Sequence, residues 1–253
     1  MLNSFHILRE IAWRILAIAP LPLLVACAAL RPTRVPMEHQ LFRTAEQPQP
    51  TLLVMLPGIR DTEQHFIKHG FVDAVQQHGL AVDVVAADAH LGYYRRQSLE
   101  SRLIEDIIEP ARARGTTRIV LFGTSLGGLG SLIMAKNHPD MVDGLILLAP
   151  YIGDDKVIDE IRDGGGPAAW RPGEIAANDF ARDLWLWLRQ ADLPPTVVAC
   201  GANDRLIETS RLLAELLPPE SLVVEPGGHD WKTWRSLWRQ LLAGEELEAA
   251  GIL

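Results

Sequence analysis

Ser125 lies in Gly123-Thr124-Ser125-Leu126-Gly127, a G-x-S-x-G pattern. An apolar, β-branched run precedes it at residues 118–122, and an apolar stretch of helical length follows at 126–137, ending at His138-Pro139. A serine hydroxyl is a poor nucleophile until a base takes its proton, and that base needs an acid to hold its tautomer. A sharp turn from strand to helix lifts such a hydroxyl clear of the sheet. It also brings the next backbone N–H, that of Leu126, to where an oxyanion would develop. The flanking glycines leave the tight turn free of side chains. Alone, the pattern equally describes an ordinary strand-to-helix turn that happens to contain serine.

The rest of the chain supplies partners in the order serine, acid, base. Residues 196–200 read as a buried strand, and Asp204 stands in the loop Gly201-Ala202-Asn203-Asp204 that leaves its carboxyl end. Functional groups collect at such strand ends in open α/β sheets. Asp204 also suits a turn or a helix N-cap, and Glu208 is the alternative acid. Residues 221–225 look like the last strand, and Pro226-Gly227-Gly228 then delivers His229. A histidine on a glycine-rich loop can swing its ring toward the serine. The chain has 8 histidines. His65, His69 and His78 lie in or beside one helical segment, and His138 at a helix terminus; for these a surface role is the default. A second oxyanion donor is expected after the early strand 51–56, where Pro57-Gly58-Ile59-Arg60-Asp61 follows. Gly58 permits close approach of the backbone. The N–H of Ile59 is the first candidate and that of Arg60 the second, with Asp61 capping the helix that starts near Thr62.

These residues resemble the α/β-hydrolase superfamily, in particular its small esterase and lipase-like members. Pro57-Gly58-Ile59 resembles that family's His-Gly-x oxyanion turn, with proline where many members carry histidine. The resemblance covers roughly residues 50 to 243. It implies Ser125 as nucleophile, Asp204 as acid, His229 as base, and Leu126 and Ile59 as oxyanion donors. It implies hydrolysis of a carboxylic ester, with a small-molecule or lipid-like substrate and no cofactor. A fold of this kind hosts many substrates, and thioester hydrolysis, acyl transfer and peptide cleavage use the same residues. From a different class, an inactive hydrolase fold could serve as a lipid-anchored binding or scaffold module.

The elements needed to position these groups are legible. Apolar runs at 51–56, 81–86, 118–122, 144–149, 196–200 and 221–225 alternate with helix-length segments at 63–78, 99–113, 126–137, 205–217 and 231–243. Strands alternating with helices predict an α/β fold, a mainly parallel sheet with helices on both faces. The connection at about 151–193 is long and contains Gly164-Gly165-Gly166-Pro167, Trp170, Trp185 and Trp187. It reads either as a small cap insertion over the site or as a packed crossover helix with a glycine loop. Arg60, Tyr93, Tyr94 and Trp170 are the candidate pocket residues.

The amino terminus has its own pattern. Arg9 and Arg14 precede a short charge-free apolar run at 15–26, interrupted by Pro20 and Pro22 and closed by Leu24-Val25-Ala26-Cys27. The run is short for a membrane span. It resembles a bacterial lipoprotein signal peptide (1–26) in which Cys27 receives the lipid. Ala28, rather than aspartate, follows the cysteine, which points to outer-membrane sorting in a Gram-negative host. An uncleaved anchor and an ordinary secretory signal are the alternatives. Residues 27–50, with Pro32, Pro36, Pro48 and Pro50, then read as a tether, with an extra edge strand at 38–42. Residues 51–253 form the catalytic domain. The formal charge is −8. Arg9, Arg14 and Glu10 leave the first 26 residues at +1, so the remainder carries −9. Such an acidic body is a poor nucleic-acid binder. With 2 cysteines, one lipidated and one in a strand, no internal disulfide is expected. No metal-ligand spacing, phosphate loop or dinucleotide fingerprint is present.

Overall fold

Hydrophobic runs buried on both faces make the middle of the sheet. In a computed structural model that describes residues 31–253, seven strands pair in the order β1-β3-β2-β4-β5-β6-β7. They are β1 (His39–Phe42), β2 (Thr51–Leu56), β3 (Val82–Ala87), β4 (Arg118–Thr124), β5 (Gly144–Leu148), β6 (Thr196–Gly201) and β7 (Leu222–Glu225). β2 to β7 run parallel, and β1 alone is antiparallel, on β3. The candidate lipid-attachment residue Cys27 and the signal segment lie outside the described residues.

Helices fill the crossovers. α1 (Glu63–Lys68) and α2 (Phe71–Gln77) follow β2, and α3 (Leu91–Arg95), α4 (Leu99–Leu103) and α5 (Glu109–Arg112) follow β3. α6 (Leu126–Asn137) follows β4, α7 (Asp155–Asp163) and α8 (Phe180–Leu188) follow β5, and α9 (Ile207–Ala214) follows β6. α10 (Trp231–Ala243) and α11 (Glu246–Ala249) close the chain. Alternation along β2 sorts the cores. Leu52, Val54 and Leu56 face the side covered by α4 to α9, and Leu53 and Met55 face α1, α2, α10 and α11.

Two expected helices are interrupted, each for a local reason. The segment 63–78 breaks at Gly70, whose φ of 75° is left-handed and starts α2 afresh. The segment 99–113 widens into a π turn at Ile104–Ile108. Pro110 lacks an N–H and its ring crowds the carbonyl four residues back, that of Asp106, inside the widened turn.

Residues 31–50, expected as a tether, are packed against the body from Arg31 onward. Arg31 forms a bidentate pair with Asp88 at 2.6 and 2.9 Å. The Met37 N–H donates to Asp106 at 2.7 Å, and the Met37 side chain is 1% exposed. β1 then covers the free edge of β3, with His39 opposite Ala87 and Phe42 opposite Val84. An uncovered β3 would present unpaired backbone groups.

Asp88 is buried between Arg31 and Glu63. Burial pushes its carboxyl up to about 6 from 3.8, against the opposing pull of the Arg31 guanidinium. The folded state therefore holds this proton more tightly than the unfolded chain, and this group's contribution to stability falls as pH rises from 3.8 through about 6. Asp88→Asn cannot ionise, so its melting temperature relative to the parent should improve between pH 4.5 and pH 7.5. A relative melting temperature that falls over that window would mean that the Arg31 pair outweighs burial.

Candidate active site

β4 ends in a turn that the sequence forces. Ser125 has φ 52° and ψ −111°, a left-handed conformation rare for a residue with a side chain. Surrounding bonds hold it there. Its N–H donates to the Leu148 carbonyl at 2.9 Å, and its carbonyl accepts from Gly128 and Tyr151 N–H groups, both at 3.0 Å. Glycines make the approach feasible. A Cβ at Gly127 would overlap the Leu56 carbonyl, and one at Gly123 would overlap the Gly127 backbone. At Gly128 it would come within 2.7 Å of Pro150. The Leu126 N–H opens α6, where the first N–H groups lack helical partners and the dipole favours negative charge.

Ser125, His229 and Asp204 form one hydrogen-bonded chain. His229 Nε2 lies 3.0 Å from Ser125 Oγ. His229 Nδ1 lies 2.8 and 3.0 Å from the two Asp204 carboxylate oxygens. The Asp204 side chain is fully buried, while that of His229 is 17% exposed. Asp204 also accepts from the Leu206 N–H at 2.8 Å, which fixes the carboxylate plane. The His229 ring meets Trp234 edge-on at 4.8 Å. Glu208, the alternative acid, stands on α9 and lies 3.9 Å from Arg211. Cys200, on β6, is buried, and burial pushes its thiol up to about 12, so it stays protonated and poorly nucleophilic.

The turn after β2 lies against this chain. A Cβ at Gly58 would stand 3.7 Å from the Ser125 Cβ and 2.7 Å from Asp61 Oδ2. Ile59 lines the same cavity as Ser125 and Leu126. Asp61 has a different role from the cap expected of it. Thr62 caps α1, its hydroxyl accepting from Gln64 and its N–H reaching His65 Nδ1 at 3.1 Å. Asp61 instead accepts from the Trp231 indole N–H at 3.1 Å, and its own N–H closes the turn on the Gly58 carbonyl. Trp231 stacks on His69 at 4.8 Å with the planes 5° apart, and His65 lies 5.8 Å away. Both histidines thus belong to the support of the site rather than to bare surface. No spacing signal links Asp61 to Trp231 across 170 residues.

A cavity of about 800 Å³ opens beside Ser125. Its walls are largely apolar, with Leu91, Leu129 and Ile133 among them, and Tyr94 lines it as expected of a pocket residue. The Tyr94 hydroxyl donates to the Leu126 carbonyl at 3.0 Å, propping the start of α6. Three other expected pocket residues lie elsewhere. Tyr93 is buried against the amino-terminal strap, its hydroxyl 3.1 Å from both the N–H and the carbonyl oxygen of Arg34. Trp170 is 2% exposed and donates to Glu160 at 3.1 Å, because a large ring in a glycine-rich loop found more apolar surface in the core. Arg60 is exposed and does not line the cavity. Tyr151, Phe180 and Arg205 line it instead. Tyr151 and Arg205 follow the ends of β5 and β6, so the strand-end rule could have found them. The connection between β5 and β6 contributes Ala177 to Phe180 and Asp183 to the wall, while Trp185 anchors it by donating to the Ile152 carbonyl at 2.9 Å. Among the described residues, no group of three or more His, Cys, Asp or Glu side chains is arranged to hold a metal ion.

The sheet order, the turn at Ser125 and the strand-end placement of Asp204 and His229 define an α/β hydrolase. Residues 34–246 match the Esterase family, described as "Putative esterase". The chain belongs to this family and is, by class, a carboxylic ester hydrolase. No curated protein matches the sequence. Several solved structures share the fold. FphF, a fluorophosphonate-binding serine hydrolase of Staphylococcus aureus, superposes with a TM-score of 0.61 at 15% identity, over 82% of this chain and 91% of its own. Est1E from Butyrivibrio proteoclasticus gives 0.58 at 17% identity, over 85% and 96%. The monoacylglycerol lipase of Paleococcus ferrophilus gives 0.53 at 16%, over 81% and 98%.

The turn's dependence on glycine has a direct consequence. Gly127→Ala should cost several kcal/mol, on the scale of severe overpacking, because the Leu56 carbonyl is backbone and cannot yield. Gly173, with open space around it, should accept alanine within about 0.5 kcal/mol. Thermal unfolding of the two variants tests this; equal melting temperatures would remove the close-approach argument.

Proposed function

We propose that this protein hydrolyses a carboxylic ester, of a small or lipid-like molecule, through an acyl-enzyme on Ser125. The observation that carries this is the unbroken hydrogen-bonded chain from Ser125 Oγ through His229 to the buried Asp204. His229 Nε2 takes the hydroxyl proton as Oγ attacks the ester carbonyl. The N–H groups of Leu126 and Ile59 receive the developing oxyanion. Asp204 holds the Nδ1–H tautomer and stabilises the imidazolium. His229 then protonates the leaving alcohol, the acyl-enzyme forms, and a water activated by the same imidazole releases the acid. The cavity's apolar walls suit an acyl or alcohol group of moderate size.

The same proposal places the enzyme in a bacterial cell envelope, held at the membrane by a lipid on Cys27. The short apolar run ending in Leu24-Val25-Ala26-Cys27 supports it. In a Gram-negative host, Ala28 favours the periplasmic face of the outer membrane.

Hydrolysis of p-nitrophenyl esters from acetyl to palmitoyl should be measured for the parent and Ser125→Ala. The variant should lose about 10⁴-fold or more in kcat, and a fluorophosphonate probe should label the parent alone. A variant that hydrolyses as well as the parent would sink the Ser125 mechanism. A parent with neither turnover nor labelling would favour the scaffold reading.

Trp231→Phe keeps an aromatic, though smaller, ring and deletes the N–H that ties Asp61 to the histidine loop. It should lower kcat about tenfold with KM changed less than about threefold, as expected when positioning rather than binding is lost. Steady-state kinetics with one short-chain ester decides it; an unchanged kcat would make the indole a packing group only.

A further inference from the structure

Five charged side chains line the cavity beside Ser125, namely Arg95, Glu100, Asp179, Asp183 and Arg205. Its three carboxylates are already answered by the protein. Glu100 accepts from Asn137 at 2.8 Å and lies 3.0 Å from His138 Nε2. Asp179 accepts from Arg182 at 2.6 Å, and Asp183 pairs with Lys136. Arg205 differs. It is exposed and makes no hydrogen bond or ion pair with any described residue. It directly follows Asp204, so its backbone is fixed within one residue of the His229 partner. Tyr151 lines the same cavity, and the Arg205 charge opposes the burial that pushes the Tyr151 hydroxyl up.

A guanidinium offers five donors in a rigid planar fork that matches a carboxylate in bidentate geometry. Here that fork is set beside an apolar cavity and has no hydrogen-bond or ion-pair partner among the described residues. The whole chain carries −8, so its long-range field repels an anion, and recognition of one would have to come from a local cation such as this. Resting on the ester-hydrolase reading above, we propose that Arg205 is a specificity-determining residue that binds a carboxylate on the substrate. The preferred substrates are then carboxyl-bearing esters with an apolar arm for the Leu129 and Ile133 wall.

Matched ester pairs test this. Monophenyl adipate against phenyl hexanoate places the charge on the acyl side, and 3-carboxyphenyl butyrate against phenyl butyrate places it on the alcohol side. In one pair at least, the parent should show a kcat/KM ratio of charged to neutral ester of about ten or more, as charge-assisted pairing allows. Raised salt should erode that ratio. Arg205→Glu should bring it below one, and Arg205→Lys should keep part of it. Arg205→Gln stands in should the glutamate variant fail to fold. A parent that favours the neutral ester in both pairs overturns the proposal, as does a ratio that the substitutions leave unmoved. If phenyl hexanoate turns over and the fluorophosphonate probe labels, such a result removes the role of Arg205 alone. If no ester turns over and no probe labels, the ester-hydrolase reading falls and this inference with it.

Discussion

Everything at the site depends on how closely the start of α6 approaches the sheet. Leu56, Gly123, Gly127 and Pro150 meet there with no room for an added methyl. That packing holds Ser125 at φ 52°, a conformation that costs of order 1–3 kcal/mol by itself. The cost is offset by the three backbone hydrogen bonds that fix the serine and by the hydrophobic contacts of α6. Because the helix begins where β4 ends, its unpaired N–H groups and the Ser125 hydroxyl are presented together. The same crowding brings the carboxyl ends of β2, β4 and β5 to one place, so Gly58, Ser125 and Tyr151 become neighbours although they are far apart in sequence.

Asp204 and His229 depend on a second, separate piece of stitching. Parallel pairing of β6 with β7 continues past the strands as the Ala202 N–H meets the Glu225 carbonyl at 2.7 Å and the Asn203 N–H meets the Gly227 carbonyl at 2.8 Å. The loop holding Asp204 and the loop holding His229 are therefore one unit of backbone. Gly201 and Gly227 pass so closely that a Cβ at Gly201 would overlap the Gly227 carbonyl. Trp231 then links this unit to the turn after β2 through Asp61. Ser125, His229 and the turn after β2 are thus held mutually by backbone and one indole, which keeps the geometry at hydrogen-bond length without a ligand.

What the sequence reveals follows what is encoded locally. β2 lies where its apolar run predicts, and α6 and α10 match their expected spans, because an apolar run buried all round, as in β2 and α6, and a clear helical stripe, as in α10, are local properties. Ser125, Asp204 and His229 were legible because each stands just after a strand, where topology rather than packing decides position. Tyr93 and Trp170 were not, since a bulky aromatic in a loop can turn to solvent, pocket or core, and only long-range packing chooses. The strap 31–50 reads as linker from its prolines except for the edge strand expected at 38–42, which β1 matches; that Arg31 and Met37 also pack on the body is a property of the assembled fold. The link from Asp61 to Trp231 leaves no local trace at all.

The connection between β5 and β6 resolves two expectations into one physical arrangement. α7 and α8 are packed crossover helices, with Ile161 and Trp185 buried and Arg182 joining them through Glu160. The stretch entering α8 does something else: Ala177, Asn178 and Phe180 wall the cavity, and the Phe180 side chain is 50% exposed. An aromatic left half in water at the lip of an apolar cavity gains burial when a ligand's apolar arm covers it. Because this stretch is anchored by α8 and makes none of the described bonds that hold Ser125, His229 or Asp204, its side chains can reshape the cavity without disturbing that hydrogen-bonded chain.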